Sequence, residues 1–206
     1  RWALWLDGAN TVVESMIVRG ASPLVVDDDA TIRSSTISSS SRAAVIVASD
    51  SVAVFERTRI EGAGPPNGAV VIFPRANVTL SESRIEAGLA SGVLCIGASL
   101  RVSGSTIASS GEIGLYAELG SQVTVERGSL VTGNMADGIE IRSSSLVMRD
   151  SESSMSANGD GLWLVDPVSA IIERSVFTAN GGWGINCVVN ADADQCTENT
   201  LSLIHI

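Results

Sequence analysis

Residues 137–186 read DGIEIRSSSLVMRDSESSMSANGDGLWLVDPVSAIIERSVFTANGGWGIN, and written as two lines they say the same thing twice. Each line runs glycine, apolar, any residue, apolar, then a polar turn, a second apolar alternation, and an Asn followed by another glycine. Self-similarity at a period of 20 to 50 residues marks a solenoid, a stack of like units in which none buries its apolar side alone.

Outward from this stretch the same beat continues. Glycines ahead of an apolar pair recur at Gly68, Gly92, Gly114, Gly138, Gly161 and Gly184, spaced by 24, 22, 24, 23 and 23 residues. From Gly92 on, each opens a short alternating run: Val93-Leu94-Cys95, Leu115-Tyr116-Ala117, Ile139-Glu140-Ile141, Leu162-Trp163-Leu164 and Ile185-Asn186-Cys187. Side chains alternate across a strand, so the outer members face inward and the middle one faces out. A second inward pair follows at Val78/Leu80, Leu100/Val102, Val123/Val125, Leu146/Met148 and Ala170/Ile172. A third inward position is expected at Ile17, Ile37, Ile60, Ile85, Ile107, Leu130 and Phe177, with Val12, Ile32 and Phe55 fitting the upstream lines. One line breaks the pattern: either Ser153 is buried with a backbone partner, or the coil bulges so that Met155 reaches the core.

Three short strands per 20 to 25 residues, joined by bends of Ser, Gly and Asn, predict an all-β chain of about eight coils. At one strand spacing per coil the stack is roughly 40 Å long. Leucine-rich repeats share the period, but they need a Leu-dominated line and usually a helical return, and no apolar pattern here has helical period. The words NMADGIEI, NGDGLWL and NGGWGINC, with a recurring S-x-[ILF], resemble the right-handed parallel β-helix repeats of the pectin-lyase-like superfamily from Ala3 to Cys196. That resemblance implies a right-handed β-helix and an exported or cell-surface location. It carries no catalytic residue across, because neither the lyase calcium cluster nor the hydrolase words of the superfamily occur.

Composition narrows the partners. The chain has no Lys, 13 Arg, 23 acidic residues and a net charge of −10, which opposes nucleic-acid phosphates and anionic lipid. No apolar run approaches the 18 residues of a membrane span, so membrane insertion is not expected. The chain starts in mid-pattern and reads as a single domain over 1–200, with further coils of its own protein expected at both ends. The last six residues, LSLIHI, follow none of the repeat and match a translated adapter sequence, so 201–206 is expected to lie outside the native fold. That also sets aside His205, the only histidine.

The chemistry left is on the outside of the first strand. Stacking places Leu94, Tyr116, Glu140, Trp163 and Asn186 in one exposed column, with Glu118 and Arg142 beside it. Aromatic faces, carboxylates and a guanidinium are the groups that hold a sugar, so Tyr116, Glu118, Glu140, Arg142, Trp163 and Asn186 are the candidate ligand-binding residues and polysaccharide the candidate partner. Two carboxylates on neighbouring coils, about 5 Å apart, also match a retaining glycosidase pair. A plain solvated face with an ion pair is the simpler alternative. A second outward column, Ser103, Glu126, Arg149 and Glu173, alternates in sign and reads as a charge ladder. Asn134, Asn158 and Asn180 read as a stacked turn device. Asp27-Asp28-Asp29 and Asp192/Asp194 fit no calcium-loop pattern, and no metal or cofactor is expected. Cys95 and Cys187 face inward; Cys187 and Cys196 are candidates for a disulfide. Three functional classes follow: a non-catalytic scaffold or carbohydrate-contacting module; a polysaccharide lyase, epimerase or glycoside hydrolase; and an adhesin or passenger segment that binds protein.

Overall fold

The computed structural model describes residues 4–188, apart from 22, 63, 65–67, 155 and 158, and the backbone of Thr200–Leu203. Among these residues there is no helix, and every strand pairing is parallel. Up to Ser145–Arg149 each strand pairs with the strand three along in sequence, and beyond it the continuous strand Ser169–Thr178 fills two places of one coil, so the chain winds as a β-solenoid of three strand places per coil. The first strands form a nine-stranded sheet from Leu4–Leu6 through Val93–Ile96, Leu115–Glu118, Ile139–Arg142 and Leu162–Val165 to Ile185–Val188.

Register is in phase from coil to coil. Val70, Val93, Leu115, Ile139, Leu162 and Ile185 lie one over another, as do Ile72, Cys95, Ala117, Ile141, Leu164 and Cys187. The second file is Val78, Leu100, Val123, Leu146 and Ala170, with Leu80, Val102, Val125, Met148 and Ile172 beside it. These side chains make one continuous core along the axis. Each strand is three to five residues long for the most part, too short to hold a sheet alone, so lateral stacking carries the stability.

The third file differs by one residue at two places. Val131, not Leu130, pairs with Ile107 and is buried, and Val18, not Ile17, pairs with Ile37. In the second sheet Val13 likewise takes the inward place and Val12 stands out in solvent. In each case two adjacent residues are apolar, and polarity alone cannot say which faces in.

What settles the phase is the corner before the third strand. Ser34, Arg57, Glu82, Gly104, Asp150 and Arg174 all have φ between 47° and 57°, a left-handed bend of one residue. A buried hydroxyl follows each one: Ser35, Thr58, Ser83, Ser105, Ser151 and Ser175. These hydroxyls form a ladder. Ser105 Oγ accepts the Ser83 N–H at 3.0 Å and donates to the carbonyls of Leu80 and Ser103, both at 3.1 Å. Ser83 Oγ accepts the Thr58 N–H at 3.1 Å, and Ser129 Oγ accepts the Ser105 N–H at 3.3 Å. A non-glycine left-handed residue costs about 1 kcal/mol, and the hydrogen bonds made at each step offset it.

Ser153 is the buried exception. It stacks between Val131 and Phe177 and donates its hydroxyl to the Gly161 carbonyl at 2.6 Å. The coil therefore holds a polar residue with a backbone partner; Met155 lies outside the described residues. The recurring glycines have a steric cause. A Cβ on Gly138 would fall 2.1 Å from Ser153 Oγ, and one on Gly114 would fall 2.5 Å from Asn134 Nδ2 and 2.6 Å from the Gly138 carbonyl.

The backbone of Thr200–Leu203 runs parallel to Ser169–Thr178, with a register shift between Glu173 and Ser175.

Candidate functional site

On the outer face of the first sheet, Leu94, Tyr116, Glu140, Trp163 and Asn186 form a single column, as their alternation predicts. The column extends upstream through Trp5, Val25, Ile46 and Val71. That extension had a signal in the sequence: the triplets LWL, LVV, VIV and VVI are apolar throughout, as in strands covered on both faces. Downstream of Leu94 the column changes character and becomes polar and aromatic.

The polar part is knit together. Tyr116 donates its hydroxyl to Glu118 at 2.7 Å. Arg142 donates from Nε to Glu140, and its guanidinium lies 5.1 Å from the Trp163 ring centre and 6.0 Å from that of Tyr116. The cation thus spans the gap between two rings set two coils apart, with Glu140 beneath it. Glu140 is accordingly only 2% exposed, which corrects the expectation of an exposed carboxylate. Alternation put it on the outside, but the longer side chains above and below close over it.

Electrostatics follow from that enclosure. Burial raises the Glu140 carboxyl above the ordinary range although Arg142 pulls the other way. Tyr116 is pushed up to about 12, first by burial and then by its bond to Glu118. Arg142 is raised by its bond to Glu140, which fixes it as a cation.

Two carboxylates at the edge of this face were not anticipated. Asp137 Oδ1 accepts the Asp160 N–H, and Asp160 Oδ1 accepts the Trp183 N–H, each at 2.6 Å. Asn186 Nδ2 donates to the other Asp160 oxygen at 2.8 Å. Each aspartate so caps the backbone of the next coil, and a Cβ on Gly159 or Gly182 would fall 2.3 Å from the capping oxygen. Burial raises Asp137, and the neighbouring Asp160 charge adds to the effect. The repeated D-G-[IL] word was the available sign, since its Asp recurs 23 residues apart.

The six candidate residues are therefore brought together, but not as a hydrolytic pair. A retaining mechanism needs both carboxyl groups turned to the substrate, whereas Glu140 is covered and bound to Arg142. What remains partly open is Tyr116, Trp163, one guanidinium and the Glu118 carboxylate.

Elsewhere the groups are structural. The second column is not a simple ladder: Arg149 pairs with Glu173 at 2.9 Å, but Glu126 pairs with Arg101 at 2.5 Å instead of with Arg149. Arg101 is on the neighbouring coil and can present two nitrogens to one oxygen. Asn134 and Asn180 accept the N–H groups of Ser110 and Ser156, each at 3.1 Å, from the coil before. Their amides do the work, since the left-handed residue at this corner is Gly133 and not Asn134. Asn158 lies outside the described residues. Asp29 accepts the Val52 N–H at 3.3 Å, so one member of the acidic run caps a strand. Among the described residues no three His, Cys, Asp or Glu side chains gather as a metal site. Cys95 is buried and its thiol raised by burial, and a thiol held protonated is inert. Cys196, Asp192, Asp194 and His205 lie outside the described residues, and with them the expected Cys187–Cys196 bridge.

Residues 24–152 match the family model described as a right handed beta helix region. No curated protein and no solved structure matches the chain.

Proposed function

We propose, because the chain belongs to the right-handed β-helix family, that it serves as a rigid, non-catalytic scaffold of an exported or cell-surface protein and contacts carbohydrate through the face of Tyr116, Arg142 and Trp163. The observation that carries this reading is the Tyr116–Arg142–Trp163 arrangement itself. Two half-buried rings are held at a fixed separation by a cation and flanked by Glu118 and Asn186, which still have hydrogen-bonding capacity. Ring surfaces with fixed polar neighbours bind sugars at low ordering cost. The absence of catalysis is argued from Glu140, whose carboxyl is enclosed and engaged by Arg142.

The test is retention on a panel of insoluble polysaccharides. Wild type is retained by at least one, Tyr116→Ala and Trp163→Ala each reduce retention at least tenfold, and Leu89→Ala, an exposed residue off the column, leaves it unchanged. Equal retention of all four proteins, or of none, overturns the reading. Turnover of a polysaccharide that Glu140→Gln abolishes would establish the catalytic alternative.

A further inference from the structure

The charge on this face limits what it can hold. The nine strands of the first sheet contain a single basic residue, Arg142. Around it stand four carboxylates: Glu118 and Glu140 in the strands, and Asp137 and Asp160 at the corner leading into them. The charge of Arg142 is already matched by Glu140, although only its Nε is used in that bond, and its guanidinium stands over two rings. With no lysine and a net charge of −10, the chain as a whole supplies no compensating field.

We infer that the ligand of this face is an uncharged polysaccharide and not a polyuronate. The inference rests on the reading of this face as a carbohydrate contact. A polyuronate brings one carboxylate per sugar, and each must find a cation or be repelled; like charge set against like charge costs association rate and affinity alike. An uncharged chain needs only ring surface and hydrogen-bond partners. Tyr116 and Trp163 offer the first, and the Glu118 oxygens and the Arg142 N–H groups not bound to Glu140 offer the second.

Affinity electrophoresis in native gels at moderate salt tests this, with hydroxyethyl cellulose as the uncharged polymer and polygalacturonate as the charged one. The expected result is retardation by the first, lost in Trp163→Ala, and no retardation by the second. Glu118→Arg, which adds a cation beside Arg142, is expected to be retarded by polygalacturonate where wild type is not, and a variant as unretarded as wild type overturns the inference. Retardation of wild type by polygalacturonate that Trp163→Ala removes overturns the inference while leaving the carbohydrate reading intact. No retardation by either polymer overturns both.

Discussion

Ser153 Oγ lies 2.6 Å from the carbonyl oxygen of Gly161, eight residues on, and holds a hydroxyl at a place where the neighbouring coils put Val131 and Phe177. That carbonyl also accepts the Ile139 N–H at 3.0 Å, so it is not orphaned if the serine is lost. Ser153→Ala is therefore expected to cost only about 1 kcal/mol, the net worth of one hydrogen bond. Ser153→Ile, which restores the apolar file, drives a larger side chain toward Gly138 and Phe177 and is expected to cost more, about 1–3 kcal/mol. Urea unfolding midpoints decide it, and the idea fails if the isoleucine variant is the more stable of the two.

Glycine substitutions should separate into two groups. At Gly114 and Gly161 a Cβ would fall 2.6 and 2.7 Å from a carbonyl oxygen of the next coil, which cannot yield without breaking the stack. Alanine there is expected to destabilise by about 3 kcal/mol or to prevent folding, by overpacking. At Gly120 and Gly128 nothing lies within 4 Å, and only the positive φ is strained. Alanine at those positions should cost about 1 kcal/mol. Thermal melting of the four variants compares the groups, and similar losses in both would refute the assignment.

The hydroxyl ladder makes its own forecast. Ser105→Ala strands the Ser83 N–H in the interior and should cost about 1–3 kcal/mol, whereas Ser105→Thr keeps the hydroxyl and should cost less than 1 kcal/mol. Thr58 fills the equivalent step two coils earlier, so the methyl group fits this type of corner. Hydrogen exchange at Ser83 reports the loss directly.

The phase of the third strand was written in that ladder, which explains both what could be read and what could not. Apolar alternation located the strands and the axial files, because every coil repeats it in register. It failed at Leu130/Val131 and Ile17/Val18, where both neighbours are apolar. The hydroxyl two places ahead of the inward residue would have resolved the first, since Ser129-Leu130-Val131 follows Ser105-Thr106-Ile107. For the site, alternation gave the side of the sheet correctly but not the exposure. Whether Glu140 is covered depends on Tyr116 and Trp163 in other coils and on the reach of Arg142, none of which a local pattern encodes.

Asp137 should make stability depend on pH in the sense opposite to a salt-bridged acid. Its folded pKa is raised, mainly by burial, so the protonated form is favoured by folding. The resulting penalty is absent below the unfolded carboxylate value of about 3.9, grows between that value and the raised folded value, and is constant above it. Asp137→Asn removes it while keeping an oxygen for the Asp160 N–H. The stability of the variant relative to wild type should therefore increase from about pH 4 towards neutrality. A difference that stays flat with pH, or shrinks, excludes this account.

Arg142 and Glu140 should be energetically coupled. Arg142→Ala leaves a carboxylate enclosed without its partner; the guanidinium side chain is 43% exposed, so the loss is discounted for solvent to about 1–2 kcal/mol. In Glu140→Gln the same arginine substitution should cost less, since no charge is then left behind. A double-mutant cycle by chemical denaturation measures the coupling, and strict additivity would sink it.

All the hydrogen bonds that join one coil to the next point along the same axis, the hydroxyl ladder included. A force applied across the stack is shared by many of them at once, but a pull on one terminus loads only the last coil. The chain should therefore yield mechanically in small steps, peeling a turn at a time from whichever end is tugged, with extension jumps set by the 20 to 25 residues that separate registered strands of successive coils.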